Sequence, residues 1–226
     1  MLERLDEAVE LGERAVKLDP SAAGAWCNLG IAYFDQKDFE KAKECQTKTL
    51  ELNPEFPNAL NNMGSILREL KDNDGAIERF KKAMIVAPNY VEPFNNIGSL
   101  YATNEQPEEG IKVLNEALTK RKDYPEAHCN LGYCYKFLEQ NDKALSHFSQ
   151  ALSFKPVYPE AHLGMAGVRR ELRQFDEAEA LLVLGLTQSP EHTDLSLALA
   201  GIKGEMGKID EAEALYKTAQ ELEPES

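Results

Sequence analysis

Three spacings in the sequence predict an all-α fold, a solenoid of antiparallel helix pairs with a 34-residue period. Pro20, Pro54, Pro88, Pro156, Pro190 and Pro224 fall on one grid of that period, and Lys122 occupies its vacant point. Small residues fill two further grids, Ala8, Ala42, Ala76, Gly110, Ala144, Ala178, Ala212 and Ala15, Thr49, Ala83, Ala117, Ala151, Gly185, Ala219. Acids alone fill another: Asp6, Glu40, Asp74, Glu108, Asp142, Asp176 and Asp210.

The segment from Pro57 to Pro88 shows what each spacing does. Leu60, Met63, Gly64 and Leu67 stand at i, i+3, i+4 and i+7, one face of a first helix. Ala76, Phe80 and Ala83 mark the face of a second helix. Between them Lys71-Asp72-Asn73-Asp74-Gly75 reads as a turn. The acid grid falls in the first turn of the second helix, where a carboxylate offsets the positive end of the helix dipole. Pro88 ends that helix, because proline has no N–H to donate and clashes with the preceding turn. Small residues at fixed offsets let two helix axes approach closely. A pair this short cannot bury its apolar face alone, so neighbouring pairs must stack.

On this reading residues 1–226 form a single solenoid. A lone second-type helix over 5–20 precedes six full repeats, which begin near Ala23, Pro57, Val91, Pro125, Pro159 and Thr193. Solenoids need capped ends. The expectation is therefore a chain cut from a longer one, or ends that pair with something else.

Composition narrows the function classes. The net charge is −14, and no basic stripe suited to phosphates is visible, which argues against a nucleic-acid partner. The N-terminus lacks the apolar core of a signal peptide, and no run approaches the ~18 apolar residues of a membrane span. Cys27, Cys45, Cys129 and Cys134 have no CxxC spacing, which suits a reducing, cytoplasmic setting. There is no phosphate-binding glycine loop, HExxH or GxSxG. The expectation is a chain that is not an enzyme and uses no cofactor or metal. His128 and His162 stand at an aromatic packing position, and Cys129 and Cys134 fall on different faces of one helix.

The first helices read Trp26, Leu29, Gly30, Tyr33, then Phe94, Ile97, Gly98, Tyr101, then His128, Leu131, Gly132, Tyr135. A second helix reads Ala144, Phe148, Ala151, Pro156. These patterns, over the whole chain, resemble the tetratricopeptide repeat family. The resemblance implies a right-handed superhelix whose first helices line a concave groove, and a role in binding proteins.

Asn28, Asn62, Asn96 and Asn130 recur two residues after the aromatic position. In the groove that the resemblance implies, they form a ladder, with Asn61 and Asn95 beside it. An amide offers a donor and an acceptor, which matches the backbone of an extended peptide. The arrangement resembles the asparagine ladder in the tetratricopeptide domain of O-GlcNAc transferases, where it holds substrate polypeptide. Arg68, Lys136 and Arg170, at repeat position 12, project towards the same groove and favour an acidic ligand. The alternative is that the asparagines bond between helices and the cations sit in surface salt bridges. Position 5 holds Cys27, Asn61, Asn95 and Cys129 rather than the lysine of the family's chaperone-tail receptors, which argues against that role. In the last two repeats the ladder positions become Gly164 and Ala198, near Gly167, Gly201, Leu163 and Leu197, which implies a more open and less polar stretch. The expected function is a scaffold that grips a protein or extended peptide. The alternatives are the recognition module of a protein glycosyltransferase and a structural scaffold that self-associates through uncapped ends.

Overall fold

The computed structural model describes residues 2–222; Met1 and residues 223–226, with Pro224 of the proline grid, lie outside the described residues. Among the described residues the secondary structure is thirteen α-helices and no strand. The first, α1, is Leu2–Leu18, which starts earlier than its pattern suggests and leaves Asp6 in its second turn. The pairs that follow are α2 (Ala23–Asp35) with α3 (Phe39–Leu52), α4 (Pro57–Glu69) with α5 (Asn73–Val86), and α6 (Glu92–Thr103) with α7 (Pro107–Lys120). Then come α8 (Pro125–Phe137) with α9 (Asn141–Phe154), α10 (Pro159–Glu171) with α11 (Phe175–Gln188), and α12 (Thr193–Glu205) with α13 (Ile209–Leu222).

The chain divides into two compact units, residues 1–100 and 101–226, with the boundary inside α6. Within the first, successive helices from α1 to α5 pack on one another, and α2 also touches α4. Within the second, α7 to α13 do the same, and α8, α10 and α12 touch in sequence. First-type helices thus lie side by side inside each unit.

Each pair turns through the same device. Lys37, Lys71, Glu105, Glu139, Arg173 and Gly207 all have φ between 57° and 77°, and they recur at the 34-residue period. At the α4–α5 turn the N–H of Lys71 donates to the Arg68 carbonyl and that of Asp72 to the Leu67 carbonyl. This is the paired bonding of a Schellman end, which needs a left-handed residue. The Asp72 carboxylate then accepts from the Gly75 N–H at 3.0 Å and caps α5. The turn is therefore shorter than the stretch Lys71–Gly75: helix α5 already begins at Asn73.

Small residues sit where helices cross. Ala42, Ala76, Ala144 and Ala178 have no exposed surface. Ala8 and Ala15 of α1 are exposed, because no described helix covers α1 as α2 covers α3. Each of the second helices α5, α7, α9 and α11 sends one large side chain into the core: Phe80, Leu114, Phe148 and Leu182 are fully buried at one repeat position. A Cβ on Gly64 would come within 2.6 Å of the Phe80 ring. Phe148 is wedged between Gly132 of its own pair and Gly164 of the next, where a Cβ would approach to 2.6 Å and 2.3 Å respectively. Gly164 is thus a packing residue, and the space it leaves is filled from inside by Phe148.

Candidate peptide-binding face

In the first unit the asparagine grid sits on α2, α4 and α6. Asn28 is exposed, Asn62, Asn95 and Asn96 are half-buried, and Asn61 is buried. Asn62 Nδ2 donates to Cys27 Sγ at 3.6 Å. Asn96 Nδ2 donates to Asn61 Oδ1 at 2.9 Å. Both bonds span 35 residues, from repeat position 6 back to position 5 of the preceding repeat. An amide carries two donor hydrogens and an acceptor oxygen, and each of these bonds uses one hydrogen. Asn62 also lines a depression of about 100 Å³ between α2 and α4, together with Gly30, Ile31, Phe34, Ser65 and Ile66. Ile31 is 41 % exposed there. Arg68 pairs with its neighbour Glu69 at 3.4 Å.

In the second unit Asn130 is half-buried on α8. Lys136 Nζ meets Glu171 Oε1 at 2.5 Å, and the Arg170 guanidinium meets the Glu205 carboxylate. These pairs run from position 12 of one repeat to position 13 of the next. They border a depression of about 530 Å³ lined by Lys136, Gly167, Arg170, Glu171, Arg173 and Glu205. The cations therefore alternate with acids along this edge. The sequence signal for those acids was present in Asp35, Glu69, Glu171 and Glu205, which share one position. Gly201 is half-buried, and a Cβ there would meet nothing within 4 Å, so the surface is open at this point.

The last two repeats also change repeat position 11, the tyrosine position of the earlier motif. Arg169 holds Gln174 and Glu177. Lys203, whose side chain is 10 % exposed, holds Glu179 and Glu211 at 2.7 Å and 2.5 Å. Lys208 joins the same Glu179 at 3.0 Å. Hydrogen bonds from the two lysines hold the Glu179 carboxyl below its usual range.

His128 packs as expected, against Phe154 and His147. Its Nδ1 lies 3.2 Å from His147 Nδ1. All four cysteines are buried and free. Burial pushes the Cys45 thiol up to about 11 and those of Cys129 and Cys134 to about 12, so none is poised as a nucleophile. Among the described residues, no group of three or more His, Cys, Asp or Glu could hold a metal ion, and no helix is long and apolar enough to cross a membrane.

Comparison with known proteins agrees with this architecture. A tetratricopeptide repeat model matches residues 23–56 and 125–158, a second matches 57–90, 91–123 and 194–226, and a TPR repeat model matches 2–37. No curated protein matches the chain. Among solved structures, the APC/C hetero-tetramer Cut9–Hcn1 superposes with a TM-score of 0.85 at 17 % identity, over 98 % of this chain and 44 % of that one. The present chain thus spans less than half the length of that protein. A tetratricopeptide repeat protein from Parabacteroides merdae gives 0.82 at 19 % identity, over 97 % and 87 % of the two chains. The type IV pilus biogenesis factor PilW gives 0.78 at 22 %, over 90 % and 94 %. At these identities the likeness concerns the fold. The family models cover most of the chain, and the chain belongs to the tetratricopeptide repeat family.

Proposed function

We propose that this chain is a binding scaffold that holds an extended polypeptide along its first-type helices, on the concave side of the array. Tetratricopeptide repeats generally mediate protein–protein interaction, and the groove and its occupant are the finer reading. Asn62 carries it. One of its N–H groups ties it to Cys27, while the side chain also lines the depression beside exposed Ile31. Its remaining donor and acceptor suit a peptide backbone, and Ile31 and Phe34 suit an apolar side chain next to it. Asn28, Asn61, Asn95 and Asn96 extend the polar row in the first unit, and Asn130 stands at the same repeat position in the second. Arg68, Lys136 and Arg170 supply the charge selectivity: an acidic segment exchanges for Glu171 and Glu205 at their cations. If the chain is the recognition module of a protein glycosyltransferase, the same face holds the acceptor polypeptide. Four buried free cysteines suit a reducing compartment such as the cytoplasm.

The test uses peptides selected from a phage-displayed library against the intact chain. Asn28→Ala with Ile31→Ala alters exposed positions, so the melting temperature should hold while affinity drops about tenfold, the loss of roughly 1.4 kcal/mol of contact. Unchanged affinity would remove the groove from the reading. Glu171→Gln with Glu205→Gln should raise affinity for acidic peptides, and no change would remove the acidic preference.

A further inference from the structure

A groove of about 450 Å³ lies between α1 and α3, with α2 at its floor. That volume is within the ~300–1,000 Å³ of ligand pockets. Two short side chains open it, Val16 from α1 and Cys45 from α3, at repeat positions 28 and 23. In the second helices α3 to α11, position 28 is always Leu or Met. In α5 to α13, position 23 is Arg79, Val113, His147, Leu181 and Leu215. Leu29 and Tyr33 of α2 complete a buried floor. Half-buried Trp26 forms a wall, and its Nε1–H donates to the Pro20 carbonyl at 3.0 Å.

The mouth of the groove is acidic. Glu44 is exposed on α3, and Glu13 is half-buried on α1. They stand at positions 22 and 25, and in no later pair of successive second helices do these two positions carry two acids. The lysines at the groove do not cancel them. Lys41 is held by Asp38 at 2.9 Å. Lys17, with its side chain 76 % exposed, reaches Glu13 only at 3.9 Å. The other Glu13 oxygen accepts from the Tyr33 hydroxyl at 2.7 Å. The floor feels the acids: after burial, the charges of Glu44, Asp38 and Glu13 raise the Cys45 thiol.

We propose that this groove takes an arginine side chain from a basic segment of a protein partner. The methylene stem packs on Val16, Leu29 and Cys45 while the charged head stays at the mouth. A guanidinium is planar and weakly hydrated, so it stacks on the Trp26 indole and pairs with the Glu44 carboxylate. It also takes the place of Lys17, a loose and exposed partner, beside Glu13. An acidic side chain would meet two carboxylates here, and an aliphatic one would leave both unengaged. The net charge of −14 draws a basic segment towards the chain from further away.

The site opens between second-type helices and does not depend on the peptide groove along the first helices. Trp26 is the only tryptophan of the chain, so its fluorescence reads the site directly. A blocked pentapeptide with one arginine among alanines should change that fluorescence saturably, with Kd on the order of 1 mM. The same peptide with leucine or glutamate in place of arginine should leave it unchanged up to about 20 mM. Glu44→Lys alters an exposed site, so the melting curve should hold while affinity for the arginine peptide falls at least about tenfold. Cys45→Leu, which puts the leucine of later repeats into the groove, should abolish the response; where it also disturbs the fold, Glu44→Lys alone decides. No response to the arginine peptide overturns the proposal. So does an equal response to the leucine peptide, which marks an apolar cleft without charge selection, or an arginine response that survives Glu44→Lys.

Discussion

The side-chain amide of Asn96 donates to Asn61 Oδ1 at 2.9 Å, so an asparagine of the ladder is a joint between repeats as well as a surface group. This gives a physical reason for a residue that is poor in helix interiors. Losing the bond should cost about 0.5–1.5 kcal/mol. Asn96→Ala should therefore lower the urea midpoint. Asn62→Ala should lower it less, since its acceptor is a sulfur at 3.6 Å. Asn28→Ala, at an exposed site, should stay within about 0.5 kcal/mol of wild type. An Asn28→Ala loss as large as that of Asn96→Ala would show that the stability effect is not the inter-repeat bond.

The glycines of the second unit should separate into two classes. At Gly164 an added methyl would sit 2.3 Å from the Phe148 ring. The ring is fully buried and cannot swing away, so Gly164→Ala should destabilise by about 1–3 kcal/mol. At Gly201 the methyl meets nothing within 4 Å, and helical alanine is favoured over glycine. Gly201→Ala should therefore stabilise by up to about 1 kcal/mol. Thermal melts of the two variants should move in opposite directions, and a shift of the same sign would contradict the packing described for Phe148.

The helix starts and the helix faces were legible in the sequence because both depend on local chemistry. Pro57, Pro125 and Pro159 open α4, α8 and α10, where a missing N–H costs nothing, and the small grids fall at helix crossings. Cross-repeat pairing was harder to read. Periodicity reports which residues share a face, but not what the next repeat presents to them. The pairs Lys136–Glu171 and Arg170–Glu205 became visible only once α8, α10 and α12 lay side by side. The turn is hard to read for a similar reason. Gly75 looked like its end, yet the left-handed residue is Lys71, and five of the six such positions carry no glycine to announce them. Gly164 looked like an opening of the groove, because the residue that fills its space, Phe148, comes from the preceding pair.

The stacked pair His128 and His147 should make stability depend on pH. Their Nδ1 atoms are 3.2 Å apart, so one donates and the other accepts, and the accepting ring must be neutral. Burial, then repulsion from His128, holds His147 down to about 4, and burial lowers His128 as well. Tyr135 stacks on His147, Lys143 lies over that tyrosine ring, and Phe154 closes the far side of His128. In the unfolded chain both histidines titrate near 6.5. Between that value and about 4 the unfolded state therefore binds more protons than the folded one. The contribution of the pair is complete above pH 6.5 and is lost as pH falls through 6.5 towards 4. His147→Phe keeps the stack and removes one titration, so its melting temperature should fall less than that of wild type between pH 7 and pH 4. The difference between the two curves cancels the carboxylates common to both proteins, and parallel curves would mean that the pair titrates alike in the folded and unfolded chain.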